Sequence, residues 1–168
     1  MTRRRPHQAI IEADGSLAIY DNAFADVTPA QAEQAAILEN EIRATKGGVE
    51  EHFYHLALLL DRFEREKHYL ARGYERMKDW CESPEIELSW RVVHDLLRII
   101  RELIPALETQ GLSTEEAHRL VREVGISKAR AILPLIRVAE ARPQLPALVE
   151  QAVSLRWRDV VAEVKERI

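Results

Sequence analysis

The sequence predicts an all-α protein, a multi-helix bundle with helix-turn-helix-like elements and a small N-terminal β-hairpin. Three observations carry this expectation. Leu, Ala, Glu and Arg dominate a chain with only 6 Gly and 7 Pro, and these four lose little freedom in a helix. After Thr28, apolar residues recur three and four apart, which lines one face of a helix. Helix starts and stops punctuate that pattern at Thr28-Pro29, Gly47-Gly48, Ser83-Pro84, Ser113 to Glu116 and Pro143 to Pro146. With 168 residues, 46% of them hydrophobic, the chain has material for a core of ordinary domain size.

Residues 1–27 read as a separate arm. Gln8 to Glu12 and Ser16 to Tyr20 flank Ala13-Asp14-Gly15, and Asp-Gly between short apolar runs favours a hairpin because both central residues tolerate positive φ. Such a hairpin is marginal alone in water and needs a surface to dock on. Residues 28–168 form the helical domain, with a subdivision into 28–110 and 111–168 at the break around Gly111.

Thr28 supplies an N-cap and Pro29 suits the first helical position. This helix runs to about Ala44, where Gly47-Gly48 stops it. Phe53, Leu56, Leu60, Phe63 and Leu70 line one face of a second helix, Val49 to about Leu70. A short helix from Tyr74 to about Glu82 puts Tyr74, Met77, Trp80 and Cys81 on its apolar side and ends at Ser83-Pro84. Ser89 opens a long helix to about Glu108 that buries Val92, Val93, Leu96, Ile99, Ile100 and Leu103, with Pro105 bending its last turn. Ser113-Thr114-Glu115-Glu116 is a capping box that opens a helix to Val124. Gly125 turns the chain and Ser127 caps a helix from Lys128 to about Glu140, with Pro134 inside it. Pro143 and Pro146 open a short helix to Val153, and a last helix from Leu155 to Arg167 gathers Trp157, Val160, Val161 and Val164.

The net charge of -4 is not the strongly basic balance that announces a nucleic-acid partner. It is unevenly spread, however. Residues 1–85 hold 11 Lys and Arg against 16 Asp and Glu, whereas 86–168 hold 13 against 12, so a phosphate-facing surface belongs in the C-terminal half. The one cysteine, Cys81, forms no intrachain disulfide or zinc pair, which fits a reducing cytoplasm. Arg3-Arg4-Arg5 is followed by no apolar stretch of signal-peptide type, and no run approaches a membrane span, so neither export nor membrane insertion is expected.

A helix-turn-helix reads DNA by laying its second helix in the major groove, with polar or basic residues near that helix's start and an apolar rear. Leu88 to Val93 and Ile126 to Ala131 both meet this demand: an apolar residue, a Ser, then a helix opening on basic or aromatic residues. The candidate contacts are Ser89, Trp90, Arg91, His94 and Arg98 in the first, and Ser127, Lys128 and Arg130 in the second. Against the pattern stand the long turn Ser83 to Leu88 with acidic Glu85 and Glu87, and Pro134 within the second reading helix. Capped helices of an ordinary bundle explain the same residues without DNA.

The run Leu70-Ala71-Arg72-Gly73-Tyr74-Glu75-Arg76-Met77-Lys78-Asp79-Trp80-Cys81-Glu82, with Leu88-Ser89 after it, resembles a module of phage, plasmid and integrative-element proteins in which Gly-Tyr and an aromatic-Cys-Glu lead into a helix-turn-helix. Val124 to Arg130 is similar to a second element found downstream in such proteins. The resemblance spans roughly 55–168, on about a dozen distinctive positions. It implies DNA binding in replication, partition or regulation of a mobile element.

No catalytic or cofactor motif accompanies these elements, and the expectation is a protein that is not an enzyme and uses no cofactor. Glu51 and His55, and Glu64 and His68, sit one helical turn apart, but di-iron and zinc-protease sites need Glu-x-x-His pairs or His-Glu-x-x-His, so no metal site is expected. Cys81 beside Trp80 reads as a buried structural thiol. The expected partners are double-stranded DNA and, because such proteins read paired half-sites, a second copy of the chain. The alternative is a helical adaptor or inhibitor that binds another protein, its acidic N-terminal half suiting a basic partner.

Overall fold

A computed structural model describes residues 27–168 and the backbone of 9–11 and 17–19. The described chain is mostly helical. Two three-residue strands, β1 (Ala9–Ile11) and β2 (Leu17–Ile19), pair antiparallel with Ile10 opposite Ala18. The Asp14-Gly15 turn and Arg3-Arg4-Arg5 lie outside the described residues. The helices are α1 (Pro29–Thr45), α2 (Val49–Arg65), α3 (His68–Ala71), α4 (Met77–Cys81), α5 (Trp90–Arg98), α6 (Ile104–Thr109), α7 (Thr114–Val124), α8 (Ile126–Ile132), α9 (Leu145–Ser154) and α10 (Trp157–Arg167). The chain divides into two compact units, one of Met1–Ala44 with Leu59–Trp90 and the other of Thr45–Leu58 with Arg91–Ile168.

In the first unit, α1 opens with a reciprocal cap: the Gln31 amide donates to Thr28 Oγ1 at 3.1 Å and the Thr28 amide to Gln31 Oε1 at 2.8 Å. Its buried face holds Ala35, Leu38 and Ile42 and one carboxylate, Glu39. Glu39 accepts from Arg72 through both oxygens at 2.9 and 3.0 Å and from Trp80 Nε1 at 2.8 Å. Burial alone raises a carboxyl, but the bonds from Arg72 and Trp80 and the charges of Arg72 and Arg43 outweigh it and hold Glu39 below its ordinary range. Trp80 stacks on Phe63 with ring centroids 4.1 Å apart, and Tyr74, Met77 and Cys81 are buried beside it as the spacing predicts.

The expected helix from Val49 to Leu70 is broken. α2 stops at Arg65, and Lys67 adopts a left-handed φ of 55° before α3 begins. Between Phe63 and Leu70 only polar residues fall at the helical spacing, so no apolar contact rewards an unbroken helix there. The break turns His68 inward, where it is buried against Phe63 and donates to Glu66 Oε2 at 2.7 Å. Glu64 and His68 therefore do not share a helix face.

In the second unit, 90–109 is helical throughout but not uniformly α. The turn Ile99–Leu103 is π-helical, and the Ile104 amide donates to the carbonyl of Ile99, five residues back. Pro105 follows at once; a proline inside an α-helix lacks its amide and clashes with the carbonyl four residues earlier, and the wider turn relieves both. Val92 and Ile100, both expected in the buried face, are half-exposed, while Leu97 is buried.

Ser113 and Glu116 form the expected capping box, with bonds of 3.2 and 2.9 Å. The next start differs from expectation. Gly125, at φ 82° and ψ 162°, is the N-cap of α8, so Ser127 lies within the first turn rather than at the cap position. That backbone conformation is open essentially to glycine alone, and it reverses the chain in one residue. Pro134 ends the α-helix at Ile132, and Leu133–Arg137 continues as a 3-10 turn rather than α-helix to Glu140. α7 packs on α6 and α9, and α8 on α10. A seven-residue helix is unstable by itself; α8 is held by burial of Ile126, Ala129 and Ile132, the two isoleucines contributing roughly 1.5–3 kcal/mol each.

Candidate functional site

Three helices of the second unit each turn one strip of side chains into a shared open groove of about 710 Å³. α5 contributes Arg91 and Asp95, four residues apart; α8 contributes Ser127, Arg130 and Ala131; α10 contributes Trp157, Val161, Val164 and Lys165. Each set follows the three-and-four spacing that places residues on one helix face. Both Ser-led segments singled out in the sequence thus reach the same surface.

Arg130 Nε donates to Asp95 Oδ2 at 2.8 Å, a link between α8 and α5 in which both side chains are largely shielded. Among the described residues, neither Arg91 nor Lys165 is engaged in an ion pair, and both are exposed. Trp157 is 52% exposed, unusual for the largest apolar side chain. Three cations against one carboxylate give this groove a positive balance that the whole chain lacks.

The other candidate residues take different places. Lys128 leans away to α9, where its ammonium donates to the carbonyls of Ala152 at 2.7 Å and Val153 at 3.2 Å; a cation at a helix C-terminus satisfies orphan carbonyls and the helix dipole. Arg98 is tied through two bonds of 3.0 and 2.9 Å to Glu102. The hydrogen bond from Arg98 lowers the Glu102 carboxyl, assisted by the charges of Arg98, Arg137 and His94. His94 is exposed on α5. Ser89 and Trp90 belong to the first unit, Ser89 as the last residue of an eight-residue connection, 82–89, in which Glu87 has a φ of 53°.

Trp157 and Lys165 were not among the sequence-derived candidates. Their signal was present: Trp157, Val161 and Lys165 recur every four residues, but a tryptophan in an apolar helical pattern reads as core. Elsewhere in this unit, the Tyr54 hydroxyl hydrogen-bonds His118 Nδ1, and the Arg122 guanidinium lies 5.0 Å from the Tyr54 ring centroid. Among the described residues, no three His, Cys, Asp or Glu side chains converge to hold a metal ion, and no helix is long and apolar enough to cross a membrane.

Comparison with protein-family models, with curated proteins and with solved structures finds no match to this chain.

Proposed function

We propose that the chain is a DNA-binding protein and that the groove face of its second unit is the contact surface. The observation that carries this reading is the convergence of Arg91, Arg130 and Lys165 with the exposed Trp157 on one face of an otherwise acidic chain. A local cationic strip is what phosphate contact requires, and it serves that purpose whatever the overall charge. Of the two helix-turn-helix-like elements, α7-Gly125-α8 supplies part of this face. With Lys128 bound to α9 and Arg130 to Asp95, contact falls to the groove and its rim rather than to the start of α8. The resemblance of residues 70–82 and 124–130 to mobile-element modules supports a role in replication, partition or regulation, with two copies of the chain on paired half-sites.

The test is a gel-shift screen of the purified full-length chain against a random duplex pool, with the A260/A280 ratio after low-salt purification as a first indication. Recovery of bound duplex supports the reading. Absence of any retarded duplex, with one stoichiometric protein recovered instead, overturns it in favour of a protein adaptor.

A further inference from the structure

We infer that the groove receives an unpaired nucleotide, its base stacked on Trp157 and its phosphates held by Arg91 and Lys165, so that the protein favours DNA with a locally open strand. This rests on the DNA-binding reading of the same groove and specifies the form of DNA. A helix that reads a duplex must protrude into a major groove about 12 Å wide. Here α8 is seven residues long, and its two basic residues are already bonded within the protein, Lys128 to the end of α9 and Arg130 to Asp95. The surface between α5, α8 and α10 is instead concave.

A duplex resting on such a rim leaves the interior unfilled. That interior has the chemistry of a base site. Its volume of about 710 Å³ lies in the range of small-molecule pockets, roughly 300–1,000 Å³. Val161, Val164 and Ala131 make an apolar wall, and the indole of Trp157, half open to solvent, offers a flat face of the kind on which bases stack irrespective of sequence. Arg130 and Asp95, joined at 2.8 Å, set further guanidinium N–H donors beside a carboxylate acceptor, a pairing suited to the mixed donor-acceptor edge of a base. Arg91 and Lys165 leave the phosphates something to meet that is not already neutralised.

The experiment is fluorescence anisotropy of the full-length chain with three labelled probes: a short perfect duplex, the same duplex with one mismatched pair, and the single strand. The expected result is binding about 10-fold tighter to the mismatched and single-stranded probes than to the perfect duplex, a size set by base-aromatic stacking. Trp157→Ala should remove that preference by weakening binding to the mismatched and single-stranded probes about 10-fold more than binding to the perfect duplex, and Trp157→Phe should retain most of it. Equal affinity for all three probes, or an equal loss on all three in Trp157→Ala, overturns the inference and leaves duplex binding standing. No binding to any probe removes the DNA reading itself. Because Trp157 is exposed, a thermal melt of each variant is expected to match the parent; if Trp157→Ala fails to fold, the Trp157→Phe comparison across the three probes decides.

Discussion

Replacing Glu39 by Gln removes one buried charge and keeps the volume, and the structure sets the size of the consequence. Glu39 is 4% exposed and faces donors only, the guanidinium of Arg72, the indole N–H of Trp80 and, at 3.2 Å, Arg43. Glutamine has one acceptor oxygen, so its NH2 must oppose Arg72 in either orientation and Trp80 as well in one of them. Breaking a buried ion pair costs about 3–5 kcal/mol, and leaving a buried N–H without an acceptor costs about 1–3 kcal/mol. Arg72 retains 24% side-chain exposure and takes up water, which pulls the sum toward the lower end, and the outer Arg43 contact adds little. The expected loss is about 3 kcal/mol, which at this chain length lowers the melting temperature by about 6–12 °C. The folded carboxyl lies below its ordinary value of 4.5, so its stabilisation is complete above that pH and is lost as pH falls through the depressed value. Circular-dichroism melts of parent and Glu39→Gln from neutral to acid pH should therefore diverge at pH 7 and converge below 4.5. A melting-temperature difference under about 2 °C at pH 7, or a difference that grows on acidification, refutes the reasoning.

Three further outcomes follow from single interactions. Lys128→Met frees two carbonyls at the end of α9 and should cost about 1–2 kcal/mol in urea unfolding, with DNA affinity reduced less than by Arg91→Ala; the reverse ranking would return Lys128 to the contact surface. At Gly125 an added Cβ meets nothing within 4 Å, but its φ is +82°, so Gly125→Ala carries a backbone cost of about 1–3 kcal/mol, and an unchanged unfolding midpoint contradicts this. Burial, with the charges of Glu64 and Glu82, pushes the Cys81 thiol far above its ordinary range, so a thiol reagent at pH 8 should modify it only at the rate of unfolding. Modification of the native protein at the rate of a free thiol rejects the burial.

Local chemistry was the legible part of this fold. The caps at Thr28 and Ser113 and the apolar faces of α2 and α4 are set by neighbours within one or two helical turns, and the residues carry that information themselves. The break at Lys67 and the π turn before Pro105 were legible only in part, because the polar run 64–67 and Pro105 mark where a helix is weakened but not whether it breaks, bends or widens there. The interleaved units were not legible, because Thr45–Leu58 folds with residues far along the chain. At the candidate site, sequence patterning marked Arg91, Ser127 and Arg130 separately. It did not reveal that they share a groove, that Lys128 serves α9, or that Trp157 faces outward, since each of these depends on how α5, α8 and α10 pack.

The most direct test of DNA binding by the groove is the salt dependence of affinity for a duplex, compared between the parent chain and the double variant Arg91→Ala with Lys165→Ala. Removing a cation that neutralises one phosphate should shallow the plot of log affinity against log salt by about 0.9. The double variant is expected to bind more weakly at low salt, with the slope reduced by about 1.8 because two phosphates are no longer neutralised. An identical slope, or affinity that does not depend on salt in the parent, would contradict the account.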